Sequence, residues 1–181
     1  MLLKQHEPDV VLLNRGIWYQ NNTLLLPALN QTLSTMEDWM AQRTATNGSK
    51  TTFIWRTTAP GMPRCYNETA PLNDLQAQIE RVTASSNPWY QSIPKRSMYN
   101  WWEIPKQNQL VQQLLDQSSI DFQYIDAFEM YLQRPDLRQS QHASNEKDCL
   151  HQCLPGPPDE VNRVLQHILQ QREHRSLSKD A

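Results

Sequence analysis

Asp148 and His151 stand three residues apart in the run Asp148-Cys149-Leu150-His151-Gln152-Cys153-Leu154-Pro155-Gly156. That spacing lets one loop carry two thirds of a hydrolytic triad. The carboxylate holds one imidazole nitrogen, and the other takes a proton from a nucleophile. Alone, Asp-x-x-His is equally a loop residue beside a surface imidazole. Its surroundings add weight: two cysteines flank the histidine and Pro155-Gly156-Pro157-Pro158 closes the loop, a stiff setting of the kind a general base needs. Neither a Gly-Asp-Ser nor a Gly-x-Ser-x-Gly occurs in the chain. The expectation is the base-carrying half of an enzyme, with no turnover by the chain as it stands.

Two further residues have chemistry to offer. Asn14 ends the apolar run Asp9-Val10-Val11-Leu12-Leu13. A side-chain amide there could donate to a developing oxyanion, a contribution of about 3–4 kcal/mol, or could only shape the turn into Arg15-Gly16. Arg56 follows Thr51-Thr52-Phe53-Ile54-Trp55 and could bind a substrate carboxylate or pair with an acidic neighbour. Cys65, Cys149, Cys153 and His151 make a Cys3His set, but the alternate spacing Cys-x-His-x-Cys crowds one cation and no Cys-x2-Cys knuckle occurs. No metal and no other cofactor is expected. A disulfide from Cys65 to Cys149 or Cys153 would staple a strand-exit loop to the Asp/His loop and leave one cysteine odd. Trp89, Tyr90, Tyr99, Trp101 and Trp102 suit a core, with stacking on sugar rings as the alternative.

These residues need elements to hold them. Asp9–Asn14, Thr51–Trp55 and Ile120–Ile125 read as buried strands, the first covered on both faces. Helices fit about Leu24 to Arg43, Leu72 to Thr83, Lys106 to Gln117 and Asp159 to Gln171. Ser85 to Asn100, with Asn87-Pro88 and Ile93-Pro94, reads as irregular. Asp126 to Leu137 fits helix or loop, Arg138 to Lys147 a polar loop, and Arg172 to Ala181 a frayed tail. Strands alternating with helices predict one layered α/β domain with a mainly parallel sheet. Ligands gather outside the carboxyl ends of such strands, where Asn14, Arg56 and Asp126 fall.

The 181 residues suit one domain. The net charge of −2 and pI near 6.2 offer no footprint for nucleic acid, and no run reaches the roughly 20 apolar residues of a membrane span. Four Asn-x-Ser/Thr sequons, at Asn21, Asn30, Asn47 and Asn67, exceed the one or two expected by chance from about an eighth Ser plus Thr. They point to a glycosylated protein of the secretory pathway with its targeting segment upstream, unless an Asn- and Thr-rich composition alone accounts for them.

The block Lys147 to Asp159 resembles the final block of the PC-esterase family, the trichome-birefringence-like and Cas1p-like proteins of the SGNH-hydrolase superfamily. Leu13-Asn14-Arg15-Gly16-Ile17-Trp18-Tyr19 is similar to that family's Asn-x-Gly-x-Trp strand end. Ile54-Trp55-Arg56-Thr57-Thr58-Ala59-Pro60 is similar to its Arg-Thr-x-x-Pro strand exit, with Cys65 where a family cysteine follows. The resemblance implies a three-layer SGNH-like domain lacking its N-terminal portion, spanning residues 1–171. It implies Asp148 and His151 as acid and base, and Asn14 in or beside the oxyanion hole. The Ser of a Gly-Asp-Ser block would lie upstream of Met1. Such proteins move acetyl groups between a donor and a glycan hydroxyl through an acyl-serine. The rival expectation is an inactive glycan-binding or scaffold protein that has lost the nucleophile. Gln152 stands where an aromatic residue is usual, and Ser49, in a helix-to-strand turn, lies at the wrong sheet edge to replace the serine.

Overall fold

Three apolar runs become the three strands of a parallel sheet in the computed structural model, which describes residues 6–16, 19, 21–47, 51–86, 100–138, 140–141 and 147–177. They are β1 (Val10–Leu13), β2 (Thr52–Arg56) and β3 (Phe122–Ile125), in the order β1-β2-β3. Leu13 lies opposite Trp55, and Trp55 opposite Tyr124. Parallel pairing in that register brings Asn14, Arg56 and Asp126 to one edge of the sheet.

Among the described residues five α-helices accompany the strands: α1 (Asn22–Asn47), α2 (Leu75–Thr83), α3 (Ile104–Asp116), α4 (Ala127–Leu132) and α5 (Pro157–Leu177). Helix α1 starts before its apolar pattern because Asn21 caps it, its Oδ1 accepting from the Leu24 N–H at 3.1 Å. Pro27 lies inside α1 without ending it; Leu25, Leu29, Leu33, Met36 and Trp39 bury one face of the helix. Helix α5 opens on Pro157 and Pro158, positions whose missing N–H groups have no intrahelical partner to lose. Its Asp159 side chain accepts from the Gly156 N–H at 2.6 Å, half of a capping box. Helix α5 also runs to Leu177, past the point where the apolar pattern stops, through Arg, Glu and Gln residues of good helix propensity.

Side chains alternate across the sheet and are covered on both sides. Val11, Leu13, Phe53, Trp55, Phe122 and Tyr124 pack against α1 and α3. Val10, Ile54 and Ile125 face α4 and α5, through Tyr131, Val161, Val164 and Ile168. This is the three-layer α/β arrangement with a parallel sheet. One strand departs from expectation. β1 is an edge strand among the described residues, so it is only partly buried, and Leu12 is 45% exposed.

A third cluster sits beyond the carboxyl edge of the sheet: Met62, Cys65, Val82, Trp101, Ile104, Phe128, Leu132 and Cys149. Trp101 is core, and Trp102 packs against the same cluster. Trp89, Tyr90, Tyr99 and the Asn87-Pro88 and Ile93-Pro94 turns fall outside the described residues, as do Ser49 and Ile17-Trp18. The Trp101 ring lies so close to Gly61 that a Cβ there would stand 2.1 Å from a ring carbon, so only glycine fits. The stretch read as a polar loop from Arg138 is corrected in part. Pro135–Arg138 form a 3-10 turn that buries Arg138 completely, and β4 (Ser140–Gln141) pairs antiparallel with β5 (Lys147–Asp148). The physical reason is that three backbone carbonyls await the Arg138 guanidinium, as described below. Among the described residues no helix is long and apolar enough to cross a membrane.

Candidate active site

The strand exits are held by a polar network built from their own side chains. Asn14 Nδ2 donates to the Arg56 carbonyl at 2.8 Å and to Thr58 Oγ1 at 3.0 Å. Thr58 Oγ1 donates in turn to the Arg15 carbonyl. Asn108, reaching over from α3, clamps the Thr58 backbone at both ends: its Oδ1 accepts from the Thr58 N–H at 3.0 Å, and its Nδ2 donates to the Thr58 carbonyl at 2.9 Å. Thr57 Oγ1 donates to Asp126 Oδ1 at 3.0 Å and accepts from the Phe128 N–H, so Thr57 and Asp126 together cap α4. Gly16, at φ 154°, lies against Thr58, where a Cβ would come within 2.7 Å of the hydroxyl. The blocks Asn14-Arg15-Gly16 and Arg56-Thr57-Thr58 are thus two halves of one junction.

The Asp/His loop is fastened to that junction. Cys65 and Cys149 form a disulfide across 84 residues, with Cα atoms 5.5 Å apart. The Met62 N–H donates to the Cys149 carbonyl at 2.9 Å. Arg138 is wholly buried and gathers three segments: its Nη1 donates to the Pro60 and Cys149 carbonyls, and its Nη2 to the Tyr131 carbonyl at 2.9 Å. On the far side of His151, the Cys153 N–H donates to the Leu137 carbonyl at 2.7 Å. Cys153 keeps a free thiol. With Cys65 and Cys149 bonded to each other, two of the residues in the Cys3His set are already committed.

The result is a cavity of about 490 Å³ at the carboxyl edge of the sheet. Its walls come from β1 (Asn14), β2 and its exit (Arg56, Thr58, Ala59), α4 (Tyr131) and the loop Leu150–Leu154 with Pro158. His151 is exposed and lines it. Three of the four residues singled out from the sequence, Asn14, Arg56 and His151, therefore meet in one place although they are far apart in the chain. The fourth, Asp148, is placed by its backbone alone, at the end of β5 three residues before His151; its side chain lies outside the described residues. Both amide hydrogens of Asn14 are engaged, so an oxyanion donor from Asn14 would require one of those bonds to be exchanged. As built, Asn14 braces the exit of β2. Arg56 is half-buried, with one long bond from Nη1 to the Tyr131 hydroxyl at 3.4 Å.

Sequence reasoning missed Asn108, Arg138 and Thr58. Nothing distinguishes Asn108 from Gln107 and Gln109 beside it, and Arg138 stands in a polar stretch. Thr58 was visible only as part of a motif. The sequon residues Asn21, Asn30 and Asn67 are exposed. Asn30 lies within α1, where the Thr32 hydroxyl of its sequon donates to the Ala28 carbonyl and accepts from Arg15. Asn47 ends α1, and its side chain lies outside the described residues.

Residues 4–168 match the model of the PC-esterase family, described as the GDSL/SGNH-like acyl-esterase family found in Pmr5 and Cas1p. The chain belongs to the PC-esterase family. That span covers β1 to β5, the Asp/His loop and most of α5, so the strand junction and the cavity lie within the matched region. Comparisons with curated proteins and with solved structures return no match. Acyl-ester chemistry, cleavage or transfer, is the activity type this membership suggests.

Proposed function

We propose that this PC-esterase domain removes or transfers acetyl groups on glycan hydroxyls, in the secretory pathway, through an acyl-serine intermediate. In this reading His151 is the base and Asp148 orients its ring. The serine belongs to a Gly-Asp-Ser strand preceding β1, which would join the sheet at the edge that β1 leaves open among the described residues. The observation that carries the reading is the meeting of His151, Asn14 and Arg56, from three separate segments, around one cavity at the carboxyl edge of a parallel sheet.

The chemistry follows from those roles. The serine oxygen attacks the acetyl carbonyl as His151 accepts its proton. The imidazolium then protonates the departing sugar oxygen, leaving acetyl-serine. Water or a second sugar hydroxyl, deprotonated by the same imidazole, resolves the ester. Exclusion of water from the cavity decides between hydrolase and transferase.

The test is acetyl release from an aryl acetate and from acetylated xylan by protein carrying the upstream serine strand. His151→Ala should lower kcat by about 10⁴- to 10⁶-fold, as for loss of a triad base. Activity that survives the substitution would remove His151 from the mechanism. Sugar binding with no acetyl release, with the serine strand in place, would instead favour an inactive binding protein.

A further inference from the structure

The four sequons play no part in the cavity chemistry, and the fold treats them differently. Asn21 spends its Oδ1 on capping α1, accepting from the Leu24 N–H at 3.1 Å and from the Thr23 hydroxyl at 2.6 Å. Asn30 lies inside α1, and the Thr32 hydroxyl of its sequon accepts from Arg15 Nη1 at 2.6 Å. Asn47 ends α1, and the rest of its sequon lies outside the described residues. Asn67 differs. It closes the 3-10 turn Cys65–Asn67, which its own backbone holds: the Asn67 N–H donates to the Arg64 carbonyl and the Glu68 N–H to the Cys65 carbonyl, each at 3.0 Å. Glu68 is extended, at φ −96° and ψ 128°, and its carboxylate turns back to pair with Arg81 at 2.6 Å. Side chains alternate along extended backbone, so Asn67 and Thr69 face outward together. Both are exposed, and neither side chain has a hydrogen-bond partner among the described residues. Tyr66 stands beside them with 37% of its surface exposed, the aromatic among the large apolar side chains that folding leaves uncovered in the described residues.

We propose that Asn67 accepts an N-linked glycan whose first sugar packs on the Tyr66 ring. The inference rests on the secretory routing proposed above and not on the acyl chemistry. In the transfer, the Asn67 amide nitrogen bonds to the anomeric carbon of a lipid-pyrophosphate-linked oligosaccharide. The bond from that carbon to phosphate breaks, the lipid pyrophosphate leaves, and a base of the transferase takes one amide proton. The transferase must reach the asparagine amide and the threonine hydroxyl together, which an open Asn-x-Thr permits and a helix does not. Timing favours the same residue. Helix α1 is local and 26 residues long, and helices of that size form in about 0.1–1 μs. The Asn67 turn is stapled by Cys149, 84 residues beyond Cys65, which at about 5–20 residues per second emerges about 4–17 s later. Its acceptor is reachable through that interval and, being exposed, after it. A sugar ring presents an apolar CH face, and laying it on Tyr66 removes aromatic surface from water.

The test sends the full chain, behind an added signal peptide, through a eukaryotic secretory host. Peptide N-glycosidase converts each glycosylated asparagine to aspartate, and peptide mass spectrometry locates the change. Asn67 should carry glycan in most molecules, and Thr69→Ala should empty it. The glycosylated protein should melt about 1–6 °C above Thr69→Ala, the scale of one ring contact in a domain of this size. Tyr66→Ala in both backgrounds should erase that difference, and Tyr66→Phe, which keeps the ring, should preserve it. Should Tyr66→Ala not fold, ring-current shifts of the first sugar's protons, present in the folded glycoprotein and lost in urea, serve in its place. An empty Asn67 overturns the assignment, whatever the other sequons carry. An unchanged melting temperature, or a difference that survives Tyr66→Ala, overturns the packing on Tyr66. Protein isolated from its own cells separates the two readings. If it lacks glycan while the leader-directed chain fills Asn67, only the secretory routing fails; if it carries glycan at other sequons and none at Asn67, only this assignment fails.

Discussion

Removing the Cys65–Cys149 bond should cost this domain a large part of its stability. The bond closes 84 residues of chain. In the loop-entropy account a closure of that length stabilises by about 4–5 kcal/mol through the unfolded state. Domains are stable by only about 5–15 kcal/mol in all. The clean variant is Cys65→Ala with Cys149→Ala, because both residues are buried, at 0% and 3% exposure, and alanine leaves no polar atom behind. Cys153→Ala belongs in both the reference and the variant, so that the free thiol cannot pair in place of a lost partner. At about 2–4 °C per kcal/mol for a domain of this size, the melting temperature should fall by about 10–18 °C. The backbone N–H of Met62, bonded to the Cys149 carbonyl, should also exchange faster than amides in β2, since the staple beside it is gone. A fall of less than about 3 °C would refute the reasoning. It would mean that Arg138 and the surrounding apolar cluster hold the two loops together without the covalent bond.

Two other outcomes follow from the same geometry. Asn108→Ala removes both bonds to the Thr58 backbone and leaves a buried N–H unpaired, so urea denaturation should show a loss of about 2–3 kcal/mol; Asn108→Asp, which keeps the acceptor, should recover part of it. Glu37 is held below the usual carboxylate range by the Ser118 hydroxyl and the Ser119 N–H. A lowered folded-state pKa gives stability that is present above the unfolded value and lost as the pH falls through the folded one. The urea midpoint should therefore drop on acidification through that range, and Glu37→Gln should flatten the drop.

How much of the fold could be read in the sequence depends on how each segment is held. The strands were legible because Val10–Leu13, Phe53–Trp55 and Phe122–Ile125 concentrate apolar and β-branched residues in runs too short for helices. Helix positions were legible from their apolar spacing, but their ends were not. Asn21, Asp74 and Asp126 each cap a helix with a side-chain oxygen, and those caps set the first turns independently of any apolar pattern. The double-sided burial expected of β1 failed because a run of apolar residues specifies a strand but not how many neighbours it has. Leu12 is apolar and nearly half exposed for that reason.

The site divides along a different line. Asn14, Arg56 and His151 were legible because each interrupts a hydrophobic or rigid stretch with a group that burial alone does not explain. Those interruptions fall where parallel strands must end. What could not be read is the bracing. Arg138 contributes nothing by spacing or motif, since its partners are backbone carbonyls of Pro60, Tyr131 and Cys149, which are the same atoms in any sequence. Asn108 likewise recognises only the peptide groups of Thr58. A side chain that bonds to backbone leaves no complementary residue type elsewhere in the chain to betray it. The groups facing the cavity could be identified by their chemistry, whereas the groups that aim them became identifiable only once the main chain had a path.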